Sequence, residues 1–356
     1  MKQRRSVFSI VVLAVLMSSV GLYAQKDKKQ TDAQRKEIQS IVKIVDDVAT
    51  GQPAPDELSA TWVREDHLKA QGNNEYVPFV VALDPSKVTG GTVAIYWRVV
   101  AKTPPPVAAP GQKKDKNKSP SLYAFEDVSF VPVTAGQTPM RIARSFSVPG
   151  GSYDVYVVLK EPMQEKAPKN APAPKVSVLK KVVDVPDFWN GELATSSVIV
   201  AQRIDPLPAP LTPAQQAERP YALGGMEIVP AYDTKLTKKA ELSTFMLIYN
   251  PKVVEGVNKP DVLVEYNFCQ AAAANQPKAG EPCKAGEKFF NKTSPQTLNA
   301  TTLPPQFDIA AGHQLQTGQT VPMASFPEGD YRLEIKVTDK AANKTILRDV
   351  NFTVVP

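Results

Sequence analysis

The sequence predicts an all-β protein in which two tandem β-sandwich domains follow an export signal and one short helix. Beyond residue 60, short apolar stretches alternate with polar residues at the period of two that half-buried strands require. Clusters of Gly, Pro, Asn and Asp separate these stretches, as expected where a sandwich turns from strand to strand. The length of 356 residues suits about two domains.

Residues 1–24 have the layout of an export signal. Lys2, Arg4 and Arg5 form a basic start, residues 6–20 carry no charge, and the small residue Ala24 precedes a polar stretch. We therefore expect an exported protein of the periplasm or the cell exterior. Cleavage after Ala24 and retention as an anchor both stay open, because the apolar run is near the shortest length that spans a bilayer. No later stretch predicts a membrane span.

Residues 25–59 predict a polar tether followed by an amphipathic helix. Thr31 and Gln34 fit a capping box, and Gly51 and Pro53 end the helix. Apolar residues recur at helical spacing between these ends, namely Ile38, Ile41, Val42, Val45 and Val48. The alternatives are a helix that packs on the first domain and one that docks a partner or forms a coiled coil. The stripe is short for a coiled coil, which favours packing.

Residues 60–186 predict the first sandwich. Its predicted strands are 76–83, 92–100, 125–133, 140–148, 151–160 and 176–185. Trp97 falls on the apolar face of its strand and is predicted to anchor the core. Two stretches rich in Pro and Lys, 103–122 and 162–175, bury too little apolar surface to order themselves and predict solvated loops. Contact of these loops with an anionic envelope polymer is the open alternative.

Residues 187–194 predict a linker, and residues 195–356 predict the second sandwich. Its predicted strands are 196–203, 226–229, 242–249, 262–269, 288–291, 306–309, 331–339 and 346–354. A proline-rich crossing follows the first of these strands.

A short pattern occurs at the same place in both domains. Residues 149–153 are Pro-Gly-Gly-Ser-Tyr, residues 327–331 are Pro-Glu-Gly-Asp-Tyr, and each leads into a strand. A tyrosine here can bury its ring and donate its hydroxyl to the backbone, which is the tyrosine corner of immunoglobulin-like sandwiches. Tyr153 and Tyr331 are therefore predicted to be structural, and both domains are predicted to be immunoglobulin-like.

The two cysteines, Cys269 and Cys283, predict a disulfide, because exported chains oxidise their thiols. In the chain-entropy model this bridge is worth about 3 kcal/mol. The spacing is not the C-x-x-C of a redox pair, so we expect no catalytic thiol.

The sequence predicts no catalytic residue, no cofactor site and no metal site. His67 and His313 lie outside the spacings that bind zinc, and no phosphate loop or nucleophile elbow is present. Three acid pairs are predicted to be solvated surface, namely Asp46–Asp47, Glu65–Asp66 and Glu126–Asp127. Without the three cations of the signal, the net charge of +6 falls to +3, which is too low for a nucleic-acid binder.

Four stretches of the second domain carry a resemblance to a known group. Residues 221–231, 242–250, 260–266 and 326–339 are similar to the β-sandwich tail of exported bacterial proteins of the GWxTD-domain and von-Willebrand-A-related type. The resemblance spans residues 195–356 and implies an exported β-sandwich. The Gly-Trp-x-Thr-Asp and Asp-x-Ser-x-Ser strings are missing, so no functional residue is carried over.

These observations predict a non-catalytic binding or scaffolding protein of the bacterial cell envelope. Its partner is expected to be a protein or an envelope polymer of unknown identity. One alternative is a carbohydrate or cell-wall binding module, which needs exposed aromatic rings, with Trp62 and Trp189 as candidates. Packing is the expected role of both rings, because large aromatic side chains are mostly buried. The second alternative is an enzyme with an unrecognised site.

Overall fold

The computed structural model describes residues 31–103, 123–134, 136, 138–163, 172–273, 275–276 and 280–356. The predicted export signal lies outside the described residues, as do most of the loops predicted at 103–122 and 162–175. Strands hold most of the regular structure and only two α-helices occur in the described residues, which confirms the predicted all-β class. Neither helix is both long and apolar enough to cross a membrane.

The chain divides into two compact units. The N-terminal unit contains the described residues up to Trp189 together with Leu211–Pro220, and the C-terminal unit contains Asn190–Pro210 and Tyr221–Pro356. The division at Trp189 falls inside the stretch 187–194 that the sequence predicts as a linker.

The N-terminal unit has two antiparallel sheets. Its strands are β1 (Thr61–Glu65), β2 (Leu68–Lys69), β3 (Glu75–Leu83), β4 (Thr92–Ala101), β5 (Phe125–Pro132), β6 (Met140–Val148), β7 (Gly151–Lys160) and β8 (Val176–Val185). In one sheet, β3 pairs with β1, β2 and β6. The other sheet has the order β5-β4-β7-β8.

The core of this unit follows from the period of two along its strands. On β4, Val93, Ile95, Trp97 and Val99 point inward and are buried. The Trp97 ring meets the edge of Phe79 from the facing sheet, with 6.1 Å between the ring centroids. Trp97 therefore has the core position that the sequence predicts for it.

Helix α1 (Asp32–Ala49) covers the outer face of the second sheet. It begins at the predicted capping box, in which the Thr31 and Gln34 side chains each bond the other residue's backbone N–H. Ile41, Val45 and Val48 are its buried apolar residues. They pack on outward-facing residues of the sheet, namely Ala94, Tyr96, Tyr156, Val158 and Val178. The helix thus packs on the N-terminal unit.

The C-terminal unit has more and shorter strands. They are β9 (Ala194–Thr195), β10 (Ile199–Pro206), β11 (Ala222–Leu223), β12 (Met226–Pro230), β13 (Lys235–Thr237), β14 (Glu241–Tyr249), β15 (Val253–Val254), β16 (Lys259–Pro260), β17 (Val262–Ala271), β18 (Glu287–Lys292), β19 (Gln296–Leu298), β20 (Leu315–Thr317), β21 (Thr320–Pro322), β22 (Gly329–Asp339) and β23 (Lys344–Val355).

These strands form two sheets around a separate core. One has the order β11-β12-β10-β14-β20, with β9 and β21 also paired to β14. The other has the order β13-β23-β22-β17-β18, with β19 also paired to β17. The pairing of β13 with β23 is parallel, whereas the neighbouring pairs of that sheet, β23 with β22 and β22 with β17, are antiparallel. β15 and β16 form a small hairpin.

The strand predicted at 306–309 is wrong, because these residues form turns. The Asp308 N–H donates to His313 Nδ1 at 3.0 Å, and the Ala310 N–H donates to Asp308 Oδ1 at 2.8 Å. The backbone hydrogen bonds of this segment are therefore local, and the segment does not pair with a strand. Phe307 nevertheless points into the core of the C-terminal unit, which explains the apolar signal.

The segment Leu211–Pro220 belongs to the N-terminal unit, whereas the sequence places it within the second domain. It contains helix α2 (Pro213–Glu218), which begins at a capping box of Thr212 and Gln215. The Tyr76 hydroxyl donates to the carbonyl of Pro220 at 2.9 Å. Contacts of α2 with β6 complete this attachment. Such long-range packing leaves no signal in local sequence.

Candidate functional site

The predicted disulfide is present in the C-terminal unit. Cys269 on β17 and Cys283 are joined with 2.09 Å between the sulfurs and 5.6 Å between the Cα atoms. Glu287 lies beside them, so that one ligand atom of each residue falls within 4.8 Å of the others. The arrangement does not suit a metal ion, because bridged sulfurs are not the thiolates that bind metals.

Arg332 fixes the chain around the disulfide to the outer face of the sheet. Its guanidinium donates to Glu287 Oε2 and to Asp349 Oδ1, both at 2.7 Å, and to the carbonyl of Pro282 at 2.9 Å. The hydrogen bond from Arg332 lowers the pKa of Glu287, although partial burial opposes this shift. This charge cluster therefore has a structural role, which is to hold residues 280–287 (the disulfide segment) on β22.

The two tyrosines of the repeated pattern have equivalent positions. The Tyr153 hydroxyl donates to the Pro149 carbonyl at 2.7 Å, and the Tyr331 hydroxyl donates to the Pro327 carbonyl at 2.9 Å. Both rings are buried, and burial raises the pKa of each hydroxyl. Each hydroxyl is engaged by a backbone carbonyl four residues earlier, so it fixes the turn that leads into the strand and is poorly placed to bind a ligand.

The acid pairs of the sequence do not all come together, but Asp46 and Glu126 both lie against Arg98. Asp46 pairs with Arg98 at 2.6 Å, whereas Glu126 lies 3.9 Å from Arg98 and accepts a hydrogen bond from the Tyr96 hydroxyl at 2.7 Å. Glu65 pairs with Lys181 at 2.5 Å. These carboxylates neutralise neighbouring cations or accept a local hydrogen bond, which accounts for each of them without a reaction.

The two histidines also have local surroundings. Burial lowers the pKa of His67, although the nearby acids Glu65 and Asp66 oppose the shift. His313 orders the turn at Asp308, as described above. Within the described ranges, neither histidine joins a group of metal-ligating side chains.

Trp62 packs at the side of the N-terminal core. Its ring stacks on Phe79 with 5.1 Å between centroids, and its indole Nε1 donates to Glu65 Oε2 at 2.5 Å. The Lys181 ammonium lies 5.1 Å from the ring centroid. Trp62 is therefore a packing residue, and the structure offers little of its ring to a ligand.

Trp189 differs from Trp62, because 40% of it is exposed. Its backbone N–H donates to Asp187 Oδ1 at 2.8 Å, and its indole Nε1 donates to the Asn74 carbonyl at 3.0 Å. The Lys69 ammonium lies 4.1 Å from the ring centroid, which is a cation–π distance. We call Lys69, Asn74, Asp187 and Trp189 the Trp189 surface. It presents an aromatic ring that is both exposed and held in place.

A buried carboxyl lies directly behind this surface. Glu75 is fully buried, its Oε1 accepts the Phe188 N–H at 2.8 Å, and its Oε2 has no hydrogen-bond partner among the described residues. Burial raises the pKa of Glu75 to about 7. The nearby Asp187 adds to the shift, while the Phe188 N–H and Lys69 oppose it. Near neutral pH the protonated and the charged forms of this carboxyl are therefore both populated.

Glu75 is not among the site residues that the sequence predicts, although its position in the strand carries a signal. Glu75 is in phase with Val77, Phe79 and Val81, the inward-facing residues of the same strand. A glutamate that alternates in phase with the apolar residues of a strand points into the core with them. Burial of this kind raises the pKa of a carboxyl group.

Comparisons with known proteins do not assign a family. No family model and no curated protein matches the chain. Among solved structures, the native conformation of E. coli alpha-2-macroglobulin matches with a TM-score of 0.21 and 9% identity, over 86% of this chain and 15% of that one. Salmonella alpha-2-macroglobulin reacted with methylamine matches with a TM-score of 0.21 and 11% identity, over 85% of this chain and 17% of that one. The chain thus spans about a sixth of these proteins, and at such TM-scores the likeness carries no argument about function.

Proposed function

We propose that this chain is an exported, non-catalytic binding or scaffolding protein of the bacterial cell envelope. The observation that carries the proposal is the Trp189 surface, where a large ring is 40% exposed although the protein bonds its indole N–H and its backbone. A ring fixed in this way loses little freedom when a partner covers it, which is why tryptophan is enriched where binding energy is concentrated. Export is supported by the signal layout of residues 1–24.

The other charged clusters favour a non-catalytic role, because each of them already holds one part of the fold to another. The Glu37–Lys160 pair holds helix α1, and Arg332 holds the disulfide segment. Their charges are engaged by protein atoms, so they are not available to polarise a substrate.

A pull-down from native cell envelope tests the proposal, with residues 25–356 as bait. We expect one reproducible protein partner that is lost with Trp189→Ala. Phe289→Ala is the matched control, because Phe289 is an aromatic residue of the C-terminal unit that is 45% exposed. Retention of the partner by Trp189→Ala would move the binding site elsewhere. Failure to retain any protein or envelope polymer would contradict the binding proposal.

A second candidate function is a carbohydrate or cell-wall binding module. It is favoured by the pairing of an exposed indole with the Lys69 ammonium at 4.1 Å, since sugars stack on aromatic rings and anionic wall polymers attract cations. Sedimentation with purified peptidoglycan tests it. Co-sedimentation that Trp189→Ala abolishes and Phe289→Ala preserves would support this function over a protein partner.

A further inference from the structure

Strand β8 is an edge of its sheet, and the described residues cover only part of that edge. On one side, β8 pairs with β7 along its whole length without a bulge. On the other side, the Val178 N–H donates to the Pro55 carbonyl at 2.8 Å, and the Glu57 N–H donates to the Val176 carbonyl at 3.0 Å. Residues 55–57 thus cover the beginning of β8 and do not bond to its second half.

These two bonds fix the direction of the backbone groups in the uncovered half. Backbone groups alternate between the two sides of a strand, so the even-numbered residues of β8 direct N–H and C=O away from β7. Lys180, Val182 and Asp184 therefore face outward. In the described part of the chain, no backbone group pairs with these three residues on that side. Such a row of unpaired groups is a template for another strand.

The corresponding edge of the C-terminal unit is less open. Strand β23 pairs at its end with β13, and the guanidinium of Arg348 donates to the outward carbonyl of Leu347 at 2.9 Å. An arginine side chain thus occupies the middle of the β23 edge. No described side chain donates to a backbone carbonyl in the uncovered half of β8.

The side chains along the β8 edge are complementary to themselves. Val182 is 45% exposed, and Lys180 and Asp184 are exposed on either side of it on the same face. If two copies of the strand meet antiparallel about Val182, each Lys180 lies opposite an Asp184, and the two valines face each other. Centring on Lys181 instead places two lysines opposite each other, and centring on Val183 places Val182 opposite Asp184. Opposite charges across strands stabilise a register, whereas like charges disfavour it.

We propose that strand β8 pairs with strand β8 of a second copy of this chain, antiparallel and centred on Val182. Residues 179–185 of each copy form the new pairing, which ends where residues 55–57 cover the strand. The two four-stranded sheets then become one continuous sheet of eight strands. A contact of this size is small, so the dimer is reversible.

Analytical ultracentrifugation of residues 25–356 tests the proposal by charge reversal. The wild type is expected to dimerise with concentration. Lys180→Asp sets two pairs of carboxylates opposite each other and weakens the dimer about tenfold or more. The double variant Lys180→Asp/Asp184→Lys restores opposite charges and recovers the dimer. A wild type that stays monomeric at all concentrations, or a single reversal without effect, overturns the proposal.

Proline substitution provides a second measurement that targets the backbone. Val182→Pro removes an outward N–H and leaves the bonds to β7, because edge strands tolerate proline where the N–H faces away from the sheet. The dimer is then lost, while the tryptophan-fluorescence unfolding curve still shows a folded N-terminal unit. Leu347→Pro removes the equivalent N–H of β23 and leaves the dimer intact. Loss of the dimer with Leu347→Pro alone would assign the interface to β23 and overturn the proposal.

Discussion

The two units cover the outer face of equivalent sheets by different means. In the N-terminal unit, helix α1 places an apolar stripe on the sheet that contains β7. In the C-terminal unit, the disulfide segment lies over β22, and its contacts are hydrogen bonds to charged groups. Asn267, Arg332 and Glu334 are at most 9% exposed on that outer face, so water is largely excluded from it as well.

The tyrosine corners provide a common reference for this difference. Three and five residues after Tyr153, the outward-facing residues are Tyr156 and Val158, which pack under the helix. The residues at the same distance from Tyr331 are Glu334 and Lys336. The inward positions are apolar in both strands. The outward positions of one strand thus decide whether a helix or a bridged loop can cover the sheet.

The largest effect is expected from breaking the ion pair beneath α1. Lys160 and Glu37 are 7% and 4% exposed in their side chains and lie 2.5 Å apart. Glu37→Ala leaves a buried ammonium without its partner and lowers the free energy of unfolding by about 3–5 kcal/mol. Urea unfolding followed by tryptophan fluorescence measures this, because Trp62, Trp97 and Trp189, the three tryptophans of the chain, all lie in the N-terminal unit.

Two controls separate burial from helix stability. Lys43→Ala breaks an exposed pair with Asp47 on the same helix and is expected to cost about 0.5 kcal/mol. Glu37→Met/Lys160→Met removes both buried charges and is expected to cost much less than Glu37→Ala. Equal costs for Glu37→Ala and Lys43→Ala would show that the buried pair does not hold the cover.

The disulfide gives the matching test in the C-terminal unit. Cys269→Ser/Cys283→Ser is expected to lower the free energy of unfolding of this unit by about 3 kcal/mol, because the open chain gains freedom when unfolded. Circular dichroism should report an earlier transition, whereas tryptophan fluorescence should report an unchanged one. An equal shift of the fluorescence transition would contradict the separate stability of the two units.

Glu75 predicts a pH response that belongs to the N-terminal unit. Its pKa is about 7 in the folded chain and 4.5 ordinarily, so the folded state holds the proton more tightly. The resulting stability is full below pH 4.5 and is lost as the pH rises to about 7, by up to about 3 kcal/mol. Unfolding followed by tryptophan fluorescence, from below pH 4.5 to above pH 7, measures the loss. Glu75→Gln should flatten the curve, and a curve that keeps its slope would assign the response to another group.

Apart from the Lys43→Ala control, the smallest effect is expected at the tyrosine corners. Tyr153→Phe and Tyr331→Phe each remove one hydrogen bond to a backbone carbonyl and should cost about 1 kcal/mol. The two costs should be alike, because the two bonds are equivalent. Only Tyr153→Phe should shift the fluorescence transition, and only Tyr331→Phe should shift the transition that circular dichroism alone detects. A clearly unequal pair of costs would show that the corners differ in their tasks.

Local pattern predicts much of this fold, because strands and caps depend on near neighbours. The alternation around Trp97 and the capping box at Thr31 both correspond to the structure. The pairings of Arg98 with Asp46 and of Lys160 with Glu37 join residues far apart in sequence, and nothing local indicates them. The exposure of Trp189 depends in the same way on where distant segments end. The candidate site was therefore less predictable than the strands around it.

The assignment of Leu211–Pro220 to the N-terminal unit has a consequence for biosynthesis. The chain leaves that unit after Trp189, builds β10 of the other unit, and returns before it continues. During synthesis, the N-terminal unit therefore lacks a part until residue 220 has emerged. After a single cleavage between residues 189 and 190, the peptide that carries the C-terminal unit still contributes α2 to the N-terminal unit. Expression of residues 25–189 alone would accordingly yield an unfinished unit.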